Sequence, residues 1–145
     1  MLTVKEVLLS KSSAIWSISP EETVYTALEI MAEKDIGALL VMDGEQVAGI
    51  FSERDYARKV VLHGKSSKDT TVGELMTKEI YCINSDKFVE ECMALMTAAR
   101  CRHLPVFENK KIAGIVTFAD IVNAVIVDQK VKIQDLESYI SGCDW

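Results

Sequence analysis

The sequence is poor in the residues on which catalytic and metal sites usually depend. It holds only 2 histidines, and its 4 cysteines (Cys82, Cys92, Cys101 and Cys143) lack CxxC spacing. No zinc-type spacing of Cys and His is present, and the patterns GxxxxGK[ST], GxGxxG and GxSxG are missing. These absences predict a protein that is neither an enzyme nor a metal binder. The cysteines are expected to be free structural thiols rather than a disulfide framework.

Long apolar runs and an excess of positive charge are also missing. The longest apolar stretch, residues 36–42, is too short to span a membrane. The amino terminus, MLTVKEVLL, lacks the basic start and cleavage site of a secretory signal, so we expect a cytoplasmic protein. A net charge of −6 disfavours a broad nucleic-acid surface, which needs many Lys and Arg residues. An anionic ligand would therefore need a local basic cluster.

What the sequence does contain is an internal repeat. Residues 15–61 align without a gap with residues 80–126, at a constant offset of 65. Identical pairs include Ile15/Ile80, Ile18/Ile83, Val24/Val89, Met31/Met96, Val41/Val106, Ala48/Ala113, Gly49/Gly114, Ile50/Ile115, Asp55/Asp120 and Val60/Val125. Most are residues typical of a core, so the repeat is one of structure. Upstream, residues 3–8 resemble residues 71–76, and both carry the Thr-x-x-Glu pattern that begins a short helix.

Each repeat predicts the order strand, helix, strand, strand, helix, which is a mixed α+β class. In the first repeat, Ser19 is the expected N-cap of a helix with Pro20 at its first position and Glu22 closing the capping box. The two apolar strands 37–43 and 46–52, with their counterparts 103–109 and 111–117, are separated by short turns. The second helix is expected from Glu53 to about Leu62, and from Ala119 to about Val127.

The same patterns give the expected domain boundaries. They are residues 1–64 for repeat 1 with its short amino-terminal helix, 65–127 for repeat 2, and 128–145 for a helical tail. The polar segment 63–70 is the expected connector. The tail has apolar residues and little basic charge, which favours packing on the pair or on a dimer mate over membrane binding.

The duplicated pattern, the RHLPV strand at 102–106 and the two strand-to-helix corners resemble a pair of cystathionine-β-synthase (CBS) domains, the Bateman module. The resemblance covers nearly the whole chain and is strongest to the small stand-alone bacterial CBS pairs. It implies a tandem, pseudo-twofold pair that commonly forms homodimers. It also implies regulatory binding of an adenine nucleotide, such as AMP, ADP, ATP, NAD(H) or an S-adenosylmethionine derivative, in clefts between the repeats.

The two corners, Ser52-x-x-Asp55 and Thr117-x-x-Asp120, permit two interpretations. The first is a pair of capping boxes, although aspartate is a shorter arm than the usual Glu or Gln. The second is a nucleotide grip, in which the hydroxyl and the helix amino terminus meet phosphate and the carboxylate holds the ribose hydroxyls. Both can apply to the same residues.

Carried onto this chain, the resemblance implies two candidate clefts. In the first, Asp55 would hold ribose, Ser52 and Arg54 would face phosphate, and Ile50 would sandwich the adenine with segment 77–80, which includes Thr77, Lys78 and Ile80. In the second, Asp120 and Thr117 take the sugar and phosphate, and Ile115 contacts the base with segment 13–15, which includes Ser13 and Ile15. Arg102 and His103 are expected at the cleft floor.

The two clefts are not expected to bind equally. Ala119 stands where the first corner has Arg54, and Gly37 and Ala38 stand where the second repeat has Arg102 and His103. The basic run Arg54, Arg58 and Lys59 is interpreted as a solvated helix face, with a site role for Arg54 only. The leading functional hypothesis is a non-catalytic adenine-nucleotide sensor that acts through its own conformation or through a partner protein. The alternative is a structural or dimerisation module that binds no ligand.

Overall fold

The computed structural model of the protein describes residues 1–11 and 14–141, which divide into two compact units. The first-repeat unit comprises residues 14–81. The second-repeat unit combines the amino-terminal segment with residues from Cys82 onward. The compact units therefore follow a different division from the sequence repeats, because the segment before repeat 1 is part of the unit built by repeat 2.

The repeat in each unit has the same order of elements, and one short helix is added after the repeat in the first unit and before it in the second. The first-repeat unit contains β1 (Ser17–Ile18), α2 (Val24–Lys34), β2 (Ala38–Asp43), β3 (Gln46–Ser52), α3 (Glu53–Asp55), which continues as a π-helix over Tyr56–Val61, and α4 (Val72–Leu75). The second-repeat unit contains α1 (Val4–Ser10), β4 (Ile83–Asn84), α5 (Val89–Ala99), β5 (His103–Glu108), β6 (Lys111–Thr117) and α6 (Phe118–Ser141). The predicted strand, helix, strand, strand, helix order is confirmed in each.

Each unit builds a three-stranded sheet with the same topology. The first strand pairs in parallel with the second, and the second pairs antiparallel with the third. Both hairpins shift register after the same repeat position, Val41 in one and Val106 in the other. The turn between β5 and β6 places Asn109 and Lys110 at positive φ, as a tight two-residue hairpin turn requires. The hairpins deliver the chain to the two strand-to-helix corners.

A short helix from outside the repeat completes each unit. In the second-repeat unit, α1 is anchored by Val4, which is fully buried, and the Val4 N–H donates to the Lys87 carbonyl at 2.9 Å. In the first-repeat unit, α4 is anchored by Val72, also fully buried, whose N–H donates to the Glu22 carbonyl at 2.8 Å. Burying one valine stabilises by about 1.5–3 kcal/mol, which accounts for the retention of helices this short.

The cores are apolar and separate. The second-repeat core consists of Val4, Val7, Ile83, Val89, Cys92, Met96, Leu104, Val106, Val116 and Ile121. The first-repeat core consists of Ile18, Val24, Ala27, Met31, Leu39, Val41, Phe51, Val60 and Val72. Repeat-related pairs such as Val24/Val89 and Met31/Met96 occupy the same place in each. Among the helices formed by residues 1–11 and 14–141, none has both the length and the apolar character needed to span a bilayer.

Three expectations about helix ends were wrong. Helix α2 begins at Val24 rather than at Pro20, because Thr23 caps it by accepting from the Thr26 N–H at 3.2 Å. Thr71 precedes α4 without a side-chain cap, although Thr3 caps α1 through the Glu6 N–H. Helix α6 does not end near Val127 but continues unbroken to Ser141, so the predicted helical tail is an extension of the last repeat helix.

Candidate functional site: the two strand-to-helix corners

The first corner joins β3 to α3 through a closed hydrogen-bonded box. Ser52 Oγ accepts from the Asp55 N–H at 3.2 Å, and Asp55 Oδ2 accepts from the Ser52 N–H at 3.0 Å. The Ser52 hydroxyl also donates to Asp55 Oδ2 at 3.1 Å. The aspartate arm is therefore long enough to close the box. The capping interpretation of this corner is correct, whatever else the residues do.

Asp55 has little capacity left for a ligand. Its second oxygen, Oδ1, accepts from the Thr77 hydroxyl at 3.1 Å and lies 3.0 Å from the Lys59 ammonium. A carboxylate offers about four lone-pair sites, and these four donors occupy them all. The Asp55 side chain is only 8% exposed. A ribose could bind this carboxylate only by displacing Thr77 or Lys59.

The second corner joins β6 to α6 with the same box but a more open carboxylate. Asp120 Oδ2 accepts from the Thr117 N–H at 2.9 Å, and Thr117 Oγ1 accepts from the Asp120 N–H at 3.0 Å. Lys11, which follows α1, reaches the same Oδ2 at 2.6 Å and donates to the Ile115 carbonyl at 3.1 Å. Within the described part of the chain, no group donates to Asp120 Oδ1. The Asp120 side chain is 25% exposed, against 8% for Asp55.

The charge state of Asp120 is set by opposing effects. Burial raises its pKa, but the hydrogen bond from Lys11, the Thr117 N–H, the positive charge of Lys11 and the Thr117 side chain together outweigh burial. The net pKa lies below the ordinary value, so the carboxylate is ionised at neutral pH. An ionised carboxylate accepts charge-assisted hydrogen bonds, which are the strong kind.

A groove opens beside Asp120 within the second-repeat unit. Its volume is about 430 Å³, which falls within the range of small-molecule sites, roughly 300–1,000 Å³. It lies between α1 and α6 and is lined by Leu2, Glu6, Val7, Ser10, Lys11, Asp120, Asn123, Ala124, Val127, Asp128 and Val131. The open carboxylate and the Lys11 ammonium therefore stand on the wall of a space with mixed polar and apolar lining.

The structure brings together only part of the predicted first set. Ile50 pairs with Thr77, whose N–H donates to the Ile50 carbonyl at 2.8 Å, and both adjoin the Ser52–Asp55 box. Arg54 is exposed on the corner, Lys78 is exposed, and Ile80 is half-buried. Ile50, Ser52, Asp55 and Thr77 thus form one cluster, and Lys78 and Ile80 follow it along the chain.

The predicted second set is divided between the two units and the residues outside the described ranges. Ile115 lies beside the Thr117–Asp120 corner, because the Lys11 ammonium that contacts Asp120 also donates to the Ile115 carbonyl. His103 lies opposite Thr117 in the β5–β6 register, and the Arg102 carbonyl accepts from the Phe118 N–H at 2.8 Å, with the Arg102 side chain exposed. Ile15 is 39% exposed and belongs to the first-repeat unit. Ser13 lies outside the described residues.

Two lysines at the corners were not predicted. Lys59 was interpreted as part of a solvated face, which is wrong, since its ammonium lies 3.0 Å from Asp55 and donates to the Leu75 carbonyl at 3.0 Å. The i, i+4 spacing of Asp55 and Lys59 could have indicated this pair. Position 124, the counterpart of Lys59, is Ala, and Asp120 takes its cation from Lys11, 109 residues away. No local pattern predicts that contact.

The cysteines in the described range are free thiols. Cys82 is exposed, Cys92 is buried and Cys101 is half-buried. Desolvation, with a smaller effect from Cys101, raises the pKa of Cys92 to about 11, and desolvation also raises that of Cys101. Cys143 lies outside the described residues. Within residues 1–11 and 14–141, no group of three or more His, Cys, Asp or Glu side chains is arranged to hold a metal ion.

Comparison with known proteins gives consistent matches along most of the chain. The CBS domain family model matches twice, over residues 4–62 and 72–127. The mitochondrial CBS domain-containing protein CBSX3 of Arabidopsis thaliana is 39% identical over 150 residues, covering 97% of this chain and 72% of that protein. Among solved structures, a signal-transduction protein with CBS domains from Burkholderia ambifaria is 48% identical with a TM-score of 0.84, covering 88% of this chain and 96% of that one.

A more distant solved structure is CBSX2, determined in complex with AMP. It is 24% identical with a TM-score of 0.72, covering 89% of this chain and 99% of that one. At this identity the likeness concerns the fold alone.

Proposed function

The chain belongs to the CBS-domain family, whose paired domains are regulatory modules, and on that premise we propose that it is a non-catalytic adenine-nucleotide sensor. The observation that carries the proposal is Asp120. Its carboxylate is ionised and partly exposed, and Oδ1 has no donor within the described residues. A purely structural cap would not need an open oxygen beside a groove. The unoccupied oxygen suits the vicinal hydroxyls of a ribose.

The remaining parts of a nucleotide have matching groups at the same corner. The Thr117 hydroxyl and the positive dipole end of α6 are the groups at this corner that suit phosphate, since the N–H groups of Thr117, Phe118 and Asp120 already donate within the chain. Lys11 supplies the local cation that an acidic chain needs for an anionic ligand. Ile115 is the half-buried apolar side chain proposed for the base. The base-contacting roles expected of Ser13 and Ile15 stay predictions.

The first corner is proposed as the weaker site. Asp55 is fully engaged by four donors, so a ribose there must break existing bonds before it gains new ones. The roles expected at the first corner are kept as proposals for Ile50, Ser52, Arg54, Thr77, Lys78 and Ile80. Arg102 and His103 are proposed to contribute to phosphate binding.

The proposed output is regulatory and passes through a homodimer or through a partner protein in trans. A nucleotide acts as a switch only if it binds two conformations with different affinity. CBSX2 was solved with AMP, which makes AMP the first ligand to test. ADP, ATP and NAD(H) belong to the same proposal, since they share adenine and ribose and differ in phosphate.

The test is a thermal-melt panel with AMP, ADP, ATP, NAD, NADH, S-adenosylmethionine and adenosine. A ligand at 100 times its dissociation constant stabilises by about 2.7 kcal/mol, which raises the midpoint by several degrees. The expected result is a shift with at least one adenine nucleotide that disappears in Asp120→Asn. The Lys11→Ala variant should weaken AMP binding while leaving adenosine unaffected. If no ligand shifts the midpoint of the wild-type protein, the corners are only caps and the interaction-module alternative replaces the sensor.

A further inference from the structure

The carboxyl-terminal half of α6 is largely exposed, although Val131 still lines the groove against α1. The helix extends over Phe118–Ser141, and every residue from 129 to 140 is exposed. An isolated helix of this length is marginal in water, because most helical stability in proteins comes from packing an apolar face. Ile133, Leu136 and Ile140 are nevertheless apolar, with exposed fractions of 54%, 60% and 84%. The extension therefore has a face suited to a partner.

That face is a continuous stripe with heptad spacing. The α6 stripe consists of Val122, Ile126, Gln129, Ile133, Leu136 and Ile140. Successive members are separated by 4, 3, 4, 3 and 4 residues, which is the a/d pattern of a coiled coil. The helical residues that line the groove against α1, such as Ala124, Val127 and Val131, fall on the opposite side of the helix. The stripe is thus separate from the groove-lining face of α6 and adjoins the face on which Ile121 and Val125 pack against the core.

We propose that the α6 stripe pairs with the same stripe of a second copy, in parallel, as a two-stranded coiled coil. Ile126, Ile133 and Ile140 occupy the a positions and Leu136 a d position, the combination that favours two parallel strands. Gln129, at a d position, meets its own counterpart across a parallel pair and can exchange hydrogen bonds with it. In an antiparallel pair it would face Ile140, where its amide would be unsatisfied.

The charges beside the stripe favour the same arrangement. Lys132 occupies a g position and Glu137 the following e position, five residues later. Within its own helix, Lys132 pairs with Asp128 at 3.1 Å in an exposed contact. In a parallel coiled coil the g and e positions adjoin across the interface, so Lys132 can exchange that contact for the partner's Glu137, twice by symmetry. The inference rests on the homodimer in the proposed function and specifies the surface that forms it.

Disulfide cross-linking tests the contact directly in the full chain. In a background with Cys82→Ser and Cys143→Ser, Leu136→Cys should form an interchain disulfide on mild oxidation, since d positions face each other. The matched control is Ser138→Cys, two residues away on the outer side of the helix. We expect dimers on a non-reducing gel from Leu136→Cys and monomers from Ser138→Cys. If neither variant cross-links, or both do so equally, the proposal is overturned, and the α6 stripe would be a surface for a protein other than a second copy.

Charge variants test the parallel orientation. Lys132→Glu and Glu137→Lys each replace two attractive pairs by repulsive ones, and each should weaken dimerisation about tenfold in sedimentation equilibrium. An equimolar mixture of the two variants should recover wild-type affinity, because both cross pairs become attractive in the heterodimer. In an antiparallel pair, Lys130 would meet the partner's Glu137. Weakening by Glu137→Lys alone would then contradict the parallel arrangement.

The nucleotide site provides an internal reference. The AMP-induced midpoint shift of the Leu136→Cys and Lys132→Glu variants should equal that of the wild type, since the stripe lies outside the Asp120 corner. Loss of cross-linking with a retained AMP shift would reject the coiled coil alone. Cross-linking with no AMP shift would reject the nucleotide site alone.

Discussion

Replacing the two corner aspartates should reveal their different environments through stability. Asp55→Ala removes the acceptor of the Ser52 N–H, the Thr77 hydroxyl and the Lys59 ammonium, in a position whose side chain is 8% exposed. Losing the capping-box bond from the Ser52 N–H costs about 1 kcal/mol and losing the hydrogen bonds to the charged carboxylate about 1.5–3 kcal/mol, so a total near 3 kcal/mol is expected.

Asp120→Ala should cost less. It removes the same kind of cap and one ion pair, to Lys11, in a side chain that is 25% exposed. A cap of about 1 kcal/mol and a partly exposed pair of about 0.5 kcal/mol give a total near 1.5 kcal/mol. The expected losses in thermal midpoint are about 9 °C for Asp55→Ala and about 4.5 °C for Asp120→Ala, at roughly 3 °C per kcal/mol.

Chemical and thermal denaturation followed by circular dichroism would measure both losses. The matched control is Asp86→Ala, an exposed aspartate whose replacement should change stability by less than about 0.5 kcal/mol. Equal losses at the two corners, or a larger loss for Asp120→Ala, would refute the reasoning that Asp55 is structurally saturated and Asp120 is open.

Three further predictions concern other parts of the chain. Gly49→Ala should lower the free energy of unfolding by about 1–3 kcal/mol, because the added Cβ would lie 2.6 Å from the Thr77 carbonyl oxygen. Gly114→Ala should cost less in the same denaturation assay, because its Cβ would meet only the flexible Leu8 side chain. The stability difference between wild type and Asp120→Asn should be fully present above the ordinary aspartate pKa of 3.8 and vanish as pH falls through the lower folded-state pKa; a difference that persists at lower pH would contradict the ion pair. Thiol labelling followed by mass spectrometry should modify exposed Cys82 well before buried Cys92, whose pKa is about 11, and the reverse order would contradict the core.

The repeat made most of the fold predictable. Gap-free identity at core positions such as Val24/Val89 fixed the order of elements, since buried apolar residues recur where the structure recurs. Strands 46–52 and 111–117 were predicted to the residue because apolar runs are bounded by turn residues and by the corner hydroxyls. The capping boxes at both corners were also readable, because the bonds that form them are local.

Long-range contacts set the limit of prediction. Nothing local shows that α1 packs with the second repeat, because that placement depends on the burial of Val4 and Val7 against a distant core. The Lys11–Asp120 pair depends on the same placement. The uninterrupted length of α6 was readable, by contrast, because no Gly or Pro occurs between Phe118 and Ser141. The end of helix α6 was nevertheless predicted near Val127, because the aligned repeat ends there.

Isothermal titration calorimetry with AMP would test the central claim most directly, by comparing AMP binding to the wild type, Asp120→Asn and Asp55→Asn. The account predicts saturable binding to the wild type, loss of that binding in Asp120→Asn, and its retention in Asp55→Asn. Binding that is lost in Asp55→Asn and retained in Asp120→Asn would contradict the assignment of the open corner as the principal nucleotide site.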